Sequence, residues 1–447
     1  MTLKAMVNGA KHLIVKRYAG PFWIRRRWLN KTQWWSYPEI EEIQLRMLRK
    51  LVRHCYESVP YYQRVMNEHK IRPEDIRTPE DIKKFPIINK KEVLRAGDSI
   101  ISTRYPRWVL RKGRTGGSTG TPMIVYRDPF SLGTEHAFAR RQFDWAGVGL
   151  RKKTAWIFQR VVATPEQKDA RLYEYDPILR ELTLSAYHCS NETALEYAKL
   201  ISKHGIEVVV GYPSAVYLMA KTCLNSGFQL CLRVVLSTWE AMTDVMRQTI
   251  SEAFGCRVFD FYGSGERVVA IHKCEQGSYH IIPEYGYTEL LPLDGHKGYY
   301  RVVSTGFWNK AMPLIRYDMG DVVIGSGQKQ CTCGRQFPVV DSIIGKEGDV
   351  IRSPSGVTLG VTAVVQVLYT VGGTNNVLET QFVQDKLDHI TVEYVPSSSF
   401  TSDDLVNMRQ AAARFLPKDL KVDFKRVEAV RRTPMGKIKP IISEIDT

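Results

Sequence analysis

Arg114-Thr115-Gly116-Gly117-Ser118-Thr119-Gly120-Thr121-Pro122 runs directly into the β-type stretch Met123-Ile124-Val125-Tyr126. Glycines let backbone N–H groups approach an anion closely, and Ser and Thr hydroxyls add donors of their own. Thr115, Gly116, Gly117, Ser118, Thr119, Gly120 and Thr121 therefore predict a loop that cradles phosphate at the edge of an α/β core. The G-x-x-x-x-G-K-[ST] spacing is absent, and no lysine sits where that loop would need one. On composition alone the same residues also suit a plain surface turn.

Three later stretches decide between these readings: Phe259-Asp260-Phe261-Tyr262-Gly263-Ser264-Gly265-Glu266, Ile315-Arg316-Tyr317-Asp318-Met319-Gly320-Asp321 and Arg432-Thr433-Pro434-Met435-Gly436-Lys437. In this order the four words resemble the adenylate-forming enzymes, and within them the phenylacetate-CoA ligase group with its capsular-polysaccharide-biosynthesis branch. The resemblance runs from about Ile40 to the end of the chain. It also takes in Val59-Pro60-Tyr61-Tyr62 and Phe85-Pro86-Ile87-Ile88-Asn89-Lys90, which look like the entry segment of that group.

At 447 residues, 44% hydrophobic and 25% charged, the chain suits a large globular domain plus a smaller one. No run of eighteen apolar residues appears, and the N-terminus lacks an apolar h-region, so a cytoplasmic protein is expected. Eight scattered cysteines do not read as a disulfide framework. Net charge is +16, and Lys4, Lys11, Lys16, Arg17, Arg25, Arg26, Arg27 and Lys31 all precede the first acid, Glu39. Phe22, Trp23, Trp28, Trp34 and Trp35 lie among these cations, so residues 1–38 form a basic, aromatic extension. Such a segment suits peripheral contact with an anionic membrane at its inner face, or packing of the aromatics on the main domain with the cations solvated. Nucleic acid is a lesser alternative, because no recognition module follows the arm.

Apolar residues at Ile40, Ile43, Leu45, Leu48, Leu51, Val52 and Cys55 predict an amphipathic helix that ends before Val59. From about Trp108 to Asp260 strand-like runs alternate with helical ones: Ala155–Phe158, Glu192–His204, Val208–Val210, Ser214–Ser226, Arg233–Leu236 and Asp244–Phe254. That alternation predicts a mostly parallel, doubly wound α/β core. Ligands of such sheets bind beyond the carboxyl ends of strands, where Gly211-Tyr212-Pro213, Ser237-Thr238-Trp239-Glu240 and Tyr262-Gly263 would then lie. After Gly345 the texture becomes that of a small α+β unit: strand Val350–Arg352, helix Val361–Val371, strands Val377–Val383 and His389–Val395, helix Asp403–Phe415 capped by Ser402, and strand Lys421–Val427. The expected division is 39–346 for a large ATP- and carboxylate-binding domain and 347–447 for a small mobile C-terminal domain.

The resemblance implies a role for each word. Thr115 to Thr121 would wrap the β- and γ-phosphates of ATP, although Met123 stands where the family often has lysine. Tyr262 would stack on adenine, with Gly263 and Ser264 as part of the same nucleotide-binding word, and Glu266 would hold Mg²⁺. Gly265 replaces a hydroxyl residue of the family word. The alternative for Glu266 is a surface carboxylate beside Arg267. Asp321 resembles the ribose-binding aspartate, since a carboxylate accepts hydrogen bonds from both ribose hydroxyls; its alternative is an N-cap or turn residue after Gly320. Lys346 replaces the arginine of the inter-domain word and Gly348 the hinge aspartate. Lys437 matches the lysine that bridges carboxylate and α-phosphate, with Lys439 as its nearest rival.

Cys274, His280, Cys331 and Cys333 offer three sulfurs and one imidazole, a donor set that fits a closed, structural Zn²⁺ site, and some members of the group carry this pattern. His272 could stand in for His280, and a pair of free thiols in a turn is the alternative for Cys331 and Cys333. Together these residues predict an ATP-dependent ligase that forms an acyl-adenylate and transfers the acyl group to CoA or another thiol. The runner-up is an amide- or ester-forming ligase that acylates a polysaccharide precursor at an amine or carrier. A non-catalytic, zinc-stabilised protein on membrane or nucleic acid is the rival from another class, with Gly265, Lys346 and Pro440 in its favour.

Overall fold

Glu39 reaches back to the Ser36 backbone N–H (2.8 Å) and so caps the first long helix, Tyr37–Ser58. Its Ile40, Ile43, Leu48, Leu51, Val52 and Cys55 are buried, as their spacing predicts. Val59, held extended before Pro60, ends it. The computed structural model describes residues 21–114, 123–157, 172–186, 188–189, 191–240, 242–293, 296–325, 330–346, 350–355, 358–360, 376–432 and 438–445. These form two compact units, 1–147 with 261–343, and 148–260 with 344–447.

In the first unit the sheet runs in the order Gly286–Leu293, His296–Gly306, Tyr317–Gly325, Val339–Lys346, Tyr279–Ile281, Ala270–Lys273 and Arg257–Gly263. Pairing along it is antiparallel wherever a register is resolved. Strands Arg111–Arg114 and Ile124–Arg127 pair separately and antiparallel, and residues 115–122 between them lie outside the described ones. Helix Pro129–Trp145 was not expected from the sequence: its buried face carries Arg141 and Gln142, which break the apolar stripe. Arg141 donates to Glu284 at 2.9 and 3.1 Å and to the Leu29 carbonyl at 2.6 Å, and Thr32 donates to Glu284 at 2.6 Å.

That network fixes the described part of the N-terminal extension. Helix Phe22–Thr32 buries Phe22 and Leu29, the Arg25 guanidinium lies 4.0 Å from the Trp308 ring centroid, and Arg26 pairs with Asp144 at 3.0 Å. Aromatics from residue 22 onward therefore pack on the core, while Trp23 and Trp34 remain half exposed. Residues 1–20, with Lys4, Lys11, Lys16 and Arg17, lie outside the described ones.

The second unit holds the parallel strands. Val234–Thr238, Val208–Gly211, Thr154–Ile157 and Glu181–Leu184 pair in parallel, and Tyr173–Asp176 adds an antiparallel edge. Helices Asn191–Lys203, Pro213–Ser226 and Asp244–Phe254 fall where the alternation placed them. A separate four-stranded sheet has the order Lys421–Arg426, His389–Pro396, Val377–Lys386, Ile441–Ser443. The fold class is the expected one, α/β with a large mixed sheet and a smaller C-terminal sheet, but parallel pairing in the large sheet is resolved only over Thr154–Thr238. Thr401, not Ser402, caps helix Ser402–Phe415, because its Oγ1 accepts from the Asp404 N–H while Asp404 returns the bond to Thr401. The expected helix Val361–Val371 lies outside the described residues.

Candidate functional site

Tyr262 is the penultimate residue of strand Arg257–Gly263, and Asp321 is central in Tyr317–Gly325. Three strands separate these two in the sheet, so the sheet curls to bring them together: the Tyr262 hydroxyl donates to the Asp321 carboxylate. Asp321 is buried mid-strand, which disposes of the turn or N-cap alternative. Earlier in the same strand the Asp318 carboxylate accepts from the Gly320 N–H at 2.8 Å. Glu266 follows strand Arg257–Gly263 in a turn closed by Arg267 N–H to the Ser264 carbonyl (3.1 Å). It is half-buried, and the Tyr317 hydroxyl donates to it at 3.4 Å. Tyr262, Glu266, Tyr317 and Asp321 thus share one patch of the first unit. Burial, with Asp321 beside Tyr262 and Glu266 beside Tyr317, raises both phenols well above the usual tyrosine range, so both stay protonated donors.

Arg316 supports this patch from behind. At φ +49° it donates to Glu289 (2.8 Å from both Nε and Nη2) and to the Phe85 carbonyl (2.6 Å), tying the entry segment to the strand that bears Asp321. Thr115 to Thr121 lie outside the described residues, as does Lys437. The frame of the lysine loop is defined, however. Arg432 and Ile438 form an antiparallel bridge, fully buried Gln381 donates to the Arg431 and Lys439 carbonyls (3.0 and 2.7 Å), and the Ile438 N–H donates to Glu240 at 3.1 Å. Lys346 ends strand Val339–Lys346, and Gly348 lies outside the described residues.

A second cluster lies in the first unit, which also holds Tyr262 and Asp321. Strand Ala270–Lys273 delivers Cys274, a turn through Gly277 leads into strand Tyr279–Ile281 with His280, and a further turn carries Cys331 and Cys333 to Gly334. Gly277 and Gly334 sit at φ +87° and +84°, conformations that a side chain would strain. One ligand atom from each of Cys274, His280, Cys331 and Cys333 lies within 4.8 Å of the other three. Cys274 and Cys331 Sγ are 3.7 Å apart, and His280 Nε2 is 3.3 Å from Cys333 Sγ. Tetrahedral Zn–S bonds of about 2.3 Å require sulfurs about 3.8 Å apart. His280 Nδ1 faces the Phe337 carbonyl (3.4 Å), which keeps the proton there and turns the Nε2 lone pair toward the thiols. Burial holds the His280 imidazole down to about 4, hence neutral, and pushes the Cys274 thiol up to about 12. His272 stands opposite His280 on the neighbouring strand, outside the four-residue group.

Two residues of this region escaped the sequence reading. Arg127 Nη2 donates to the Gly265 carbonyl at 2.6 Å, and Arg267, noticed only as a neighbour of Glu266, lies with its Nε 3.8 Å from Glu135. No local signal in the sequence marks Arg127; only the strand register aims it at the Glu266 turn.

Residues 356–444 match the CapK C-terminal domain family. Protein CapK of Staphylococcus aureus is 25% identical over 411 residues, covering 91% of this chain and 90% of its own. Phenylacetate-coenzyme A ligase of Thermus thermophilus is 27% identical over 356 residues, 74% of this chain and 76% of its own. Among solved structures, a 2-hydroxyisobutyryl-CoA ligase in the postadenylation state superposes with a TM-score of 0.70 at 16% identity, over 92% of this chain and 91% of that one. An anthranilate CoA ligase bound to anthranoyl-AMP gives 0.51 at 15% identity, over 76% and 66%. The fold is that of the adenylate-forming ligases. Within that class the sequence is similar both to CapK and to the AMP-forming acid–thiol ligases that act on phenylacetate and coenzyme A.

Proposed function

We propose that the chain activates a carboxylic acid with ATP and passes the acyl group to CoA or another thiol. A carboxylate oxygen attacks the α-phosphorus, and the bond to the bridging oxygen breaks with its electron pair, releasing pyrophosphate. The thiol sulfur then attacks the acyl carbon, its proton goes to solvent, and AMP departs. The observation that carries this reading is the convergence of Tyr262, Glu266, Tyr317 and Asp321, which come from two sequence words more than fifty positions apart.

Asp321 would hold the ribose hydroxyls, with Tyr262 keeping its carboxylate in place and presenting its ring to adenine. Gly263 would let the nucleotide approach the strand end closely, and Thr115 to Thr121 would wrap the outer phosphates. Mg²⁺, which draws charge from phosphate oxygens, would be held by Glu266, a carboxylate that is half exposed and steadied by Tyr317. Lys437 would bring its cation to the meeting point of carboxylate and α-phosphate, where like charges converge. We assign the boundaries 38/39 and 346/347 to this cycle, with 347–447 turning about Lys346 and Gly348 between the two steps. Cys274, His280, Cys331 and Cys333 would hold a structural Zn²⁺, supported by the sulfur spacing and the orientation of His280.

Likeness to CapK over nearly the whole chain supports a second reading, in which the acceptor is an amine or hydroxyl of a polysaccharide precursor. Incubation with ATP, Mg²⁺, hydroxylamine and a panel of aryl, fatty and amino acids tests the common first step. Pyrophosphate release with one acid class is expected. Asp321→Asn should raise the KM for ATP by about tenfold or more, the scale of a lost charge-assisted hydrogen bond. Silence across the panel refutes the proposal.

A further inference from the structure

Arg127 closes strand Ile124–Arg127, and its guanidinium lies back over the partner strand at Gly113, which pairs with Val125. A Cβ on Gly113 would stand 2.4 Å from Arg127 Cζ and 2.6 and 2.7 Å from Nη1 and Nη2. The guanidinium thus occupies space that only glycine leaves, two positions before Thr115. From there Nη2 donates to the carbonyl of Gly265, inside the turn that presents Glu266. Arg267 joins it at φ +60°, a conformation that a side chain rarely adopts and that functional turns often retain.

Three donors at this turn, two from the turn itself and one reaching it from strand Ile124–Arg127, have no hydrogen-bond partner among the described residues although each atom is buried: Arg267 Nη1, Ser264 Oγ and Arg127 Nε. Buried donors are seldom left unmade. The facing acids are Glu135, which already accepts from the Tyr285 hydroxyl at 2.6 Å, and Glu266. Burial and the like charge of Arg267 pull Arg127 down to about 10, which still leaves it a cation at neutral pH. When Glu266 is engaged by a divalent ion, the local balance turns positive and favours an anion with several acceptor oxygens.

We propose that Arg127, Arg267 and Ser264 form an oxyanion site beside Glu266 that takes the terminal phosphates of the nucleotide, supplying the cation that Thr115 to Thr121 lack. It rests on the adenylating reading above. When the α-phosphorus–oxygen bond breaks, its electron pair stays on the departing pyrophosphate, and a planar fork of donors matches that growing charge.

Calorimetric titration with Mg²⁺-pyrophosphate, and separately with malonate, tests the site in the full chain. Arg267→Met should weaken pyrophosphate binding about tenfold to a hundredfold, and Arg267→Lys should restore only part of it. Gly113→Ala is the sharper variant. It keeps every charged residue and an ordinary strand backbone, fills only the seat of the Arg127 guanidinium, and should weaken pyrophosphate comparably. Unchanged pyrophosphate affinity in variants that melt like wild type overturns the proposal. Weakening confined to malonate overturns it too, and assigns the pair to the acid substrate instead. Wild type that binds pyrophosphate but forms no adenylate with any acid refutes the adenylating reading while leaving this binding result standing.

Discussion

Deleting residues 1–20 and deleting residues 1–30 should give opposite outcomes, because the two cuts remove different physics. The longer cut removes Phe22 and Leu29, each about 1% exposed. Burying such a side chain contributes roughly 1.5–3 kcal/mol, so about 3–6 kcal/mol is lost. It also takes away the Leu29 carbonyl that accepts from Arg141 at 2.6 Å, leaving a buried guanidinium one acceptor short at a further cost of about 1–3 kcal/mol. For a unit of this size each kcal/mol moves Tm by about 2–4 °C. A fall on the order of 10 °C or more, or insoluble protein, is therefore expected from the longer cut. The shorter cut removes four cations, Lys4, Lys11, Lys16 and Arg17, and none of these contacts. It should leave the melting curve and adenylation in place while weakening binding to phosphatidylserine vesicles, with the difference fading as salt rises and screening shortens below about 8 Å. Thermal melts and vesicle sedimentation read both arms. Deletion of 1–30 without a loss of Tm would refute the packing argument, and equal vesicle binding after deletion of 1–20 would refute the membrane role.

Purified protein should carry about one equivalent of zinc, and Cys333→Ser should lower both metal content and melting temperature; metal-free protein of unchanged stability would dispose of the site. Lys437→Ala should slow adenylate formation by on the order of 10² to 10³, while chemically supplied acyl-adenylate is still consumed at close to the wild-type rate. Gly348→Pro should slow transfer more than adenylation, and a Lys437→Ala variant that adenylates normally would shift the role to Lys439. Lys221 is buried, donates to the Val377 carbonyl at 2.5 Å, and is pulled down to about 8 by burial. Between that value and the ordinary lysine range the unfolded chain binds the extra proton, so stability should rise with pH over this window. Denaturant melts at several pH values should show the rise in wild type and a flatter curve in Lys221→Met.

What the sequence determined by itself was whatever depends on local pattern. The 3.6-residue spacing from Ile40 to Cys55 placed helix Tyr37–Ser58, the alternation of runs placed the parallel strands and helices between Thr154 and Phe254, and motif order gave the class of chemistry. Cys274, His280, Cys331 and Cys333 were legible because donor type and spacing are themselves the signal. Tertiary structure decided the rest. Helix Pro129–Trp145 was hidden because its buried Arg141 finds its counter-charge in Glu284, far away in the chain, and periodicity cannot anticipate a buried ion pair whose partner arrives only on folding. The pairing of Tyr262 with Asp321 needs the sheet to curl across three intervening strands, a consequence of strand twist and closure that no local stretch encodes. Arg127 is the extreme case. Its neighbours in sequence say nothing about Gly265, and only the register that sets Gly113 opposite Val125 opens the space through which its guanidinium reaches the Glu266 turn.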